Sequence, residues 1–242
     1  MLGIVAAALK PGVSLLLILT LGLAEPTRLP PTPFTVAYSL STRGLRFATM
    51  TRHLSRQANG DYIFQSQSRA TGLAKLVVPG QIIEQSRWNL TGNQVFSRSY
   101  SYVRTGSKPK SITVRFDWSN GLILGSNGTE TWRLDARPGL LDKLSYQLAI
   151  MSDLQAGKRL LEYELVDETE VKTYRFAAVG EEVLETPIGK LKTLKLERTN
   201  EKPNRSTTVW CASALRYLPV RLDKRKNGAT DTAFIESLSG LP

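Results

Sequence analysis

Apolar and polar residues alternate along most of this chain. Phe34-Thr35-Val36-Ala37-Tyr38 opens the pattern, and Ile112, Val114, Phe116 and Trp118 repeat it most cleanly. A period of two marks a strand with one buried face. Leu45, Phe47 and Thr49 point one way, and Arg46, Ala48 and Met50 the other. The Asn59-Gly60-Asp61 turn and the following Tyr62 and Phe64 complete a hairpin with that segment. Trp88 and Leu90 precede a Thr91-Gly92-Asn93 turn, after which Val95 to Val103 run on. Ser119-Asn120-Gly121 leads into Leu122–Leu124. Further strands are predicted at 160–166, 171–179, 189–198, 206–211, 215–224 and 230–238, with turns at Asn127-Gly128, Pro187-Ile188-Gly189 and Asn227-Gly228. Many short antiparallel strands imply an all-β fold, a sandwich or a barrel.

One segment breaks the period. Asp142 is suited to cap a helix, because its carboxylate can accept an orphan amide of the first turn. Leu141 and Tyr146 stand at staple positions around it. Leu144, Leu148 and Met151 are spaced i, i+4, i+7, Ile150 and Leu154 widen the apolar arc, and Gly157 stops the helix. The prediction is one amphipathic helix of about 12 residues from Asp142 to Leu154. Its apolar face must bury, and the hollow of a curved antiparallel sheet, a half-open β-barrel, is the natural place.

The N-terminus carries an address. Lys10 precedes the apolar run Val13–Ala24, and Gly22 and Ala24 are small residues suited to cleavage before Glu25. The run is about a dozen residues, short of the roughly 20 that span hydrocarbon. Residues 1–24 therefore read as a signal peptide and localisation as periplasmic; an uncleaved inner-membrane anchor is the alternative. Residues 25–33 form a Pro-rich lead, and 34–242 parse as a single β-rich domain. Lys and Arg number 32 against 21 Asp and Glu, so the 242-residue chain carries +11, or +10 after loss of Lys10. In an exported protein this charge points to peripheral contact with a lipid or anionic envelope component, and no nucleic acid is expected as a partner. The charge may equally serve only solubility, and the oligomeric state stays open.

Several stretches resemble a family of exported bacterial proteins known as domain of unknown function 3108. They are Phe116-Asp117-Trp118, Leu141-Asp142-Lys143-Leu144-Ser145, the segment from Gly180 to Gly189, Thr208-Val209-Trp210, and Tyr217-Leu218-Pro219-Val220-Arg221. Cys211 stands where that pattern usually has an apolar residue. The resemblance implies a mostly β protein whose fold is similar to the half-open barrels of periplasmic lipoprotein carriers, with a curved sheet wrapped around a helix. It implies no reaction.

Candidate chemistry is sparse. His53 is the single imidazole and Cys211 the single thiol, so a disulfide within the chain is excluded and neither a triad nor a Cys/His metal site can be assembled without them. Each reads as a strand residue. Glu181-Glu182 and Asp167-Glu168 are adjacent carboxylates, which strand geometry turns to opposite faces. No phosphate-binding glycine loop occurs. No catalytic residue, metal or cofactor is expected. The remaining candidates are apolar: Trp88, Trp118, Trp132 and Trp210, with Leu144, Leu148 and Met151 of the helix, could line a ligand cavity or simply fill the core. The expected function is a non-catalytic, carrier-like binding protein holding a lipid or other apolar ligand between sheet and helix. A structural or protein-interaction module of the envelope without a cavity is the alternative.

Overall fold

The computed structural model describes residues 31–242 apart from 78, 92 and 93. The signal peptide expected over 1–24, residues 25–30 of the lead, and Gly92 and Asn93 of one turn lie outside the described residues. Alternation is realised almost throughout. Along β1 (Phe34–Thr42), Phe34, Val36 and Tyr38 are buried while the residues between them are half-buried. The next strands are β2 (Leu45–Arg56), β3 (Tyr62–Ala70), β4 (Gln81–Thr91), β5 (Gln94–Arg104), β6 (Lys110–Asp117), β7 (Leu122–Ser126) and β8 (Thr131–Asp135). After the two-residue β9 (Leu141–Asp142) come β10 (Leu160–Asp167), β11 (Glu170–Thr186), β12 (Gly189–Arg198), β13 (Arg205–Ala212), β14 (Leu218–Lys226) and β15 (Ala229–Ser239).

These strands form one curved sheet in the order 8-7-6-5-4-3-2-1-15-14-13-12-11-10-9. Each sequential neighbour pairs antiparallel through a tight turn, and β1 pairs β15, joining the chain ends. The exception is β9, which runs parallel to β10 through Leu141↔Leu165 and Asp142↔Val166. The sheet does not close by a ladder. Side chains join its two flanks instead: Lys110 of β6 meets Glu168 of the β10–β11 turn at 2.6 Å, and Asp142 of β9 bonds to serines of β4 and β5.

Two helices interrupt the strands. α1 (Ala74–Val77) is one turn in the β3–β4 connection and buries nothing. α2 (Tyr146–Gln155) is the helix predicted from the i, i+4, i+7 spacing. It starts four residues later than the predicted Asp142, because the backbone of Asp142 is spent on the β10 ladder. The Asp142 carboxylate still accepts amides, from Leu144 at 2.9 Å and Ser145 at 2.8 Å, and so caps the turn that feeds the helix. Gly157, at φ +84°, ends it.

The apolar arc of α2 is broad enough to meet both walls of the hollow. Leu148 and Met151 join the cluster built by β1–β7, with Phe34, Leu54, Phe64, Trp88 and Ile123. Ala149, Ile150 and Leu154 join the cluster built by β10–β13, with Leu161, Phe176, Leu196 and Cys211. A helix apolar on both sides has to be enclosed. Four large side chains, Leu148, Ile150, Met151 and Leu154, are each no more than 7 % exposed. Each contributes about 2 kcal/mol of burial, enough to seat a ten-residue helix that would not form alone.

Candidate functional site

Polar side chains hold the first half of α2 in the hollow. The wholly buried Asp142 accepts from Ser86 Oγ at 2.6 Å and from Ser97 Oγ at 2.9 Å, and Ser97 and Ser145 share a hydrogen bond of 3.0 Å. Arg52 faces inward between Met50 and Leu54, donates to Gln147 Oε1 of the helix and lies over the Tyr38 ring at 5.5 Å. Asp153 accepts from the Tyr163 hydroxyl at 2.9 Å. These bonds set the position of the helix, which dispersion alone would leave free to slide.

The second half of α2 does not fill its end of the hollow. A pocket of about 350 Å³ opens there. Leu148, Met151, Ser152, Gln155 and Ala156 form its helix side, and Phe34, Trp88, Leu90 and Val95 of β1, β4 and β5 form the sheet side. Pro31, Thr32 and Leu241, from the two chain ends, contribute the rim. Arg216 is the one charged residue of the wall. It sits in a turn where Arg216 (φ +54°) and Tyr217 (φ +59°) are both left-handed, a conformation costly for side chains other than glycine. The amide of Tyr217 donates to the Ala212 carbonyl at 2.8 Å, and Gln155 Nε2 donates to the Arg216 carbonyl at 3.3 Å.

Trp88 is the largest side chain of the wall. It is 0 % exposed and stacks on Tyr62 with ring centres 4.6 Å apart. Among the described residues its indole N–H has no hydrogen-bond partner. A buried donor left unpaired costs about 1–3 kcal/mol.

Of the residues expected along a cavity, Trp88, Leu148 and Met151 therefore meet in this wall. Leu144 lies one turn before the helix, 1 % exposed in the core. Trp118 stacks on Phe116 and donates to the Ser97 carbonyl at 2.8 Å, next to the Asp142 network. Trp132 covers Gly125 on the β7–β8 edge, so closely that a Cβ at Gly125 would fall 1.9 Å from the indole. Trp210 lies between Val209 and Cys211 on β13 and so faces away from both of those inward residues. Its indole bonds Glu182 at 2.7 Å and is flanked by Lys195 and Arg221.

A family model described as "Protein of unknown function (DUF3108)" matches residues 34–234. The chain belongs to the DUF3108 family. The match covers the strands from β1 into β15 and includes α2 and most of the pocket wall. A comparison with curated proteins returns no match. Among solved structures the DUF3108 chain is similar to a β-barrel-like protein of domain of unknown function DUF1849 from Brucella abortus, with a TM-score of 0.57 and 11 % identity over 88 % of this chain and 99 % of that one. At that identity the likeness is one of fold. A second structure, a "putative lipoprotein" from Parabacteroides distasonis, aligns with a TM-score of 0.31 and 10 % identity over 88 % and 99 % of the two chains, too distant to carry an argument.

The polar candidates of the DUF3108 chain are dispersed. His53 is exposed on the outer side of β2, where its Nδ1 lies 2.8 Å from Thr35 Oγ1. Cys211 is fully buried, and burial pushes its thiol well above the ordinary range, away from nucleophilic use. Glu181 pairs with Lys192 at 2.7 Å while Glu182 accepts from Trp210. Burial works to raise the Asp167 carboxyl, but the ammoniums of Lys143 and Lys172 outweigh it and hold the group below the usual carboxylate range. Glu168 faces Lys110. Among the described residues no three His, Cys, Asp or Glu side chains gather as a metal site would require, and no helix is long and apolar enough to cross a membrane.

Proposed function

We propose that this DUF3108 protein is an exported, non-catalytic binding protein that takes a chain-like apolar ligand with an acidic head into the pocket between α2 and the sheet. The observation that carries the reading is the pocket itself. Its volume, about 350 Å³, falls within the usual range for small-molecule sites, which begins near 300 Å³. Leu90, Val95, Leu148, Met151 and the face of Trp88 present an apolar wall. Arg216, which forms no ion pair among the described residues, supplies one positive charge for an acidic head. The unpartnered Trp88 N–H offers a donor that a carbonyl or carboxylate oxygen would satisfy. Export is inferred from Lys10, the Val13–Ala24 run and the small residues before Glu25.

The test is a titration of the purified, delipidated chain with a fluorescent long-chain fatty acid. Saturable binding that Met151→Trp abolishes, with the melting temperature held within a few degrees, supports the reading. Met151 is the residue to change because it faces the pocket from the middle of the helix and an indole there would fill the space. Absence of saturable uptake, or uptake that Met151→Trp leaves unchanged, returns the protein to the alternative of an envelope interaction module.

A further inference from the structure

The end of the sheet opposite the pocket carries an apolar tip ringed by cations. The β3–β4 connection, residues 71–80, projects Leu73, Leu76 and Val77, which are 82, 81 and 80 % exposed. On the neighbouring β1–β2 turn, Leu45 is 74 % exposed. Four large apolar side chains standing in water on adjacent loops are unusual for a surface with nothing to meet.

The tip is held rigidly. The Thr71 amide donates to the Phe47 carbonyl at 2.8 Å, tying the loop to β2. At its other end the loop rests on the β5–β6 turn. The Gln81 amide donates to Thr105 Oγ1 at 3.0 Å, and the Thr105 amide donates to the Gln81 carbonyl at 2.9 Å. Gly80 and Gly106 make this contact possible: a Cβ at Gly80 would lie 2.4 Å from the Thr105 carbonyl oxygen, and one at Gly106 would lie 1.9 Å from that of Pro79. The exposed leucines are therefore displayed on a braced loop.

Charge around the tip is of one sign. Residues 40–50, 65–81 and 101–111, which form this part of the rim, contain Arg43, Arg46, Arg69, Lys75, Arg104, Lys108 and Lys110 and no Asp or Glu. Arg46 pairs with Glu236 and Lys110 with Glu168. The other five have no ion pair among the described residues. A protein partner recognising this surface would need an acidic rim and a matching apolar socket; a bilayer with anionic headgroups offers both at once and needs no shape.

We propose that residues 71–80 dock this protein onto an anionic lipid surface, with Leu73, Leu76 and Val77 entering the headgroup boundary and the five free cations meeting lipid phosphates. The docking surface is separate from the pocket. Nine residues of β1, about 30 Å of strand, lie between them, so the pocket mouth points away from the docked bilayer.

The experiment is co-sedimentation of the full chain with phosphatidylglycerol vesicles and with phosphatidylcholine vesicles. Binding to the anionic vesicles, weakened by salt, is expected. Leu73→Ser with Leu76→Ser should weaken it by about tenfold or more, and so should Lys75→Glu with Lys108→Glu. All four sites are exposed, so melting temperatures should not move; the charge-reversal pair keeps the test open if the leucine pair folds poorly. A nitrobenzoxadiazole label on Leu76→Cys should shift its emission to the blue on anionic vesicles. No binding, equal binding to both vesicle types, or binding that both double variants retain would overturn the proposal, the last by assigning it to another part of the chain. Self-association in lipid-free buffer that the leucine pair abolishes, without vesicle binding, would overturn it in favour of a second copy. None of these readings involves a pocket ligand, so they stand or fall apart from the pocket.

Discussion

Replacing Asp142 with alanine asks what holds α2 in the hollow. The carboxylate is 0 % exposed and accepts from Ser86 Oγ at 2.6 Å, Ser97 Oγ at 2.9 Å and the amides of Leu144 and Ser145 at 2.9 and 2.8 Å. Alanine strands all four donors where water does not reach. The hydroxyls recover in part, because Ser97 and Ser145 already lie 3.0 Å apart and their rotors can turn toward each other. The two amides have nowhere to turn. At about 1–3 kcal/mol for each orphaned donor, less the relief of no longer burying a charge, the expected loss is about 3–4 kcal/mol. For a chain of this size that corresponds to about 10 °C in melting temperature. Asparagine keeps an acceptor for the amides and offers an N–H to serine oxygens that can accept, so it should cost about 1 kcal/mol. Asp117 is the control: it accepts from Ser119 and Asn120 in an exposed turn, and its alanine variant should lose less than about 1 kcal/mol. Urea unfolding followed by circular dichroism and tryptophan emission measures all three. An Asp142→Ala variant that loses less than about 1 kcal/mol, or an Asn variant that loses as much as Ala, would refute this account of the anchor.

Three further outcomes follow from named groups. Burial, opposed by Arg52, pushes the Tyr38 hydroxyl up to about 12 from its usual 10. The unfolded chain gives up that proton first, so Tyr38 contributes stability that is complete below pH 10 and is lost as pH rises toward 12. Tyr38→Phe should therefore flatten the alkaline fall in stability by about 1.4 kcal/mol per pH unit; an unchanged slope in urea titrations would contradict this. Cys211 should resist Ellman's reagent in the folded protein and react at the rate of unfolding, whereas immediate native labelling would contradict its burial. Arg216→Gly should relax one left-handed residue, leaving stability unchanged or higher by up to about 1 kcal/mol, while weakening a fatty-acid probe by about tenfold. Lower stability with unchanged affinity would remove Arg216 from the ligand site.

Much of this architecture can be read from local pattern. Alternation located β1, β6 and the run from β10 to β15 within a few residues, and the i, i+4, i+7 spacing of Leu144, Leu148 and Met151 located the helix. The failures have physical causes. β11 continues to Thr186 although Gly180-Glu181-Glu182 reads as a strand end, because the register shift at Gly180 absorbs the break and Glu182 finds the Trp210 indole. The strand expected from 215 begins at Leu218, after the left-handed pair Arg216–Tyr217. Nothing in residues 71–80 signalled a one-turn helix on an exposed tip. At the site, Leu148 and Met151 were legible because helix period places them on one side. Trp210 could have been set aside by the same alternation that turns Val209 and Cys211 inward. Trp88 was not so simple, since a register shift falls between Arg87 and Trp88. Arg216, Pro31 and Leu241 reach the wall only through tertiary closure, which a local reading does not contain.

The most direct measurement is a native mass spectrum of the full chain purified without detergent, set beside that of Met151→Trp. The pocket reading expects a co-purifying adduct with the mass of an acyl-bearing molecule, released on collisional activation and missing from the variant. A wild-type spectrum showing only the bare chain, from protein that also fails to take up a long-chain fatty acid, would contradict it.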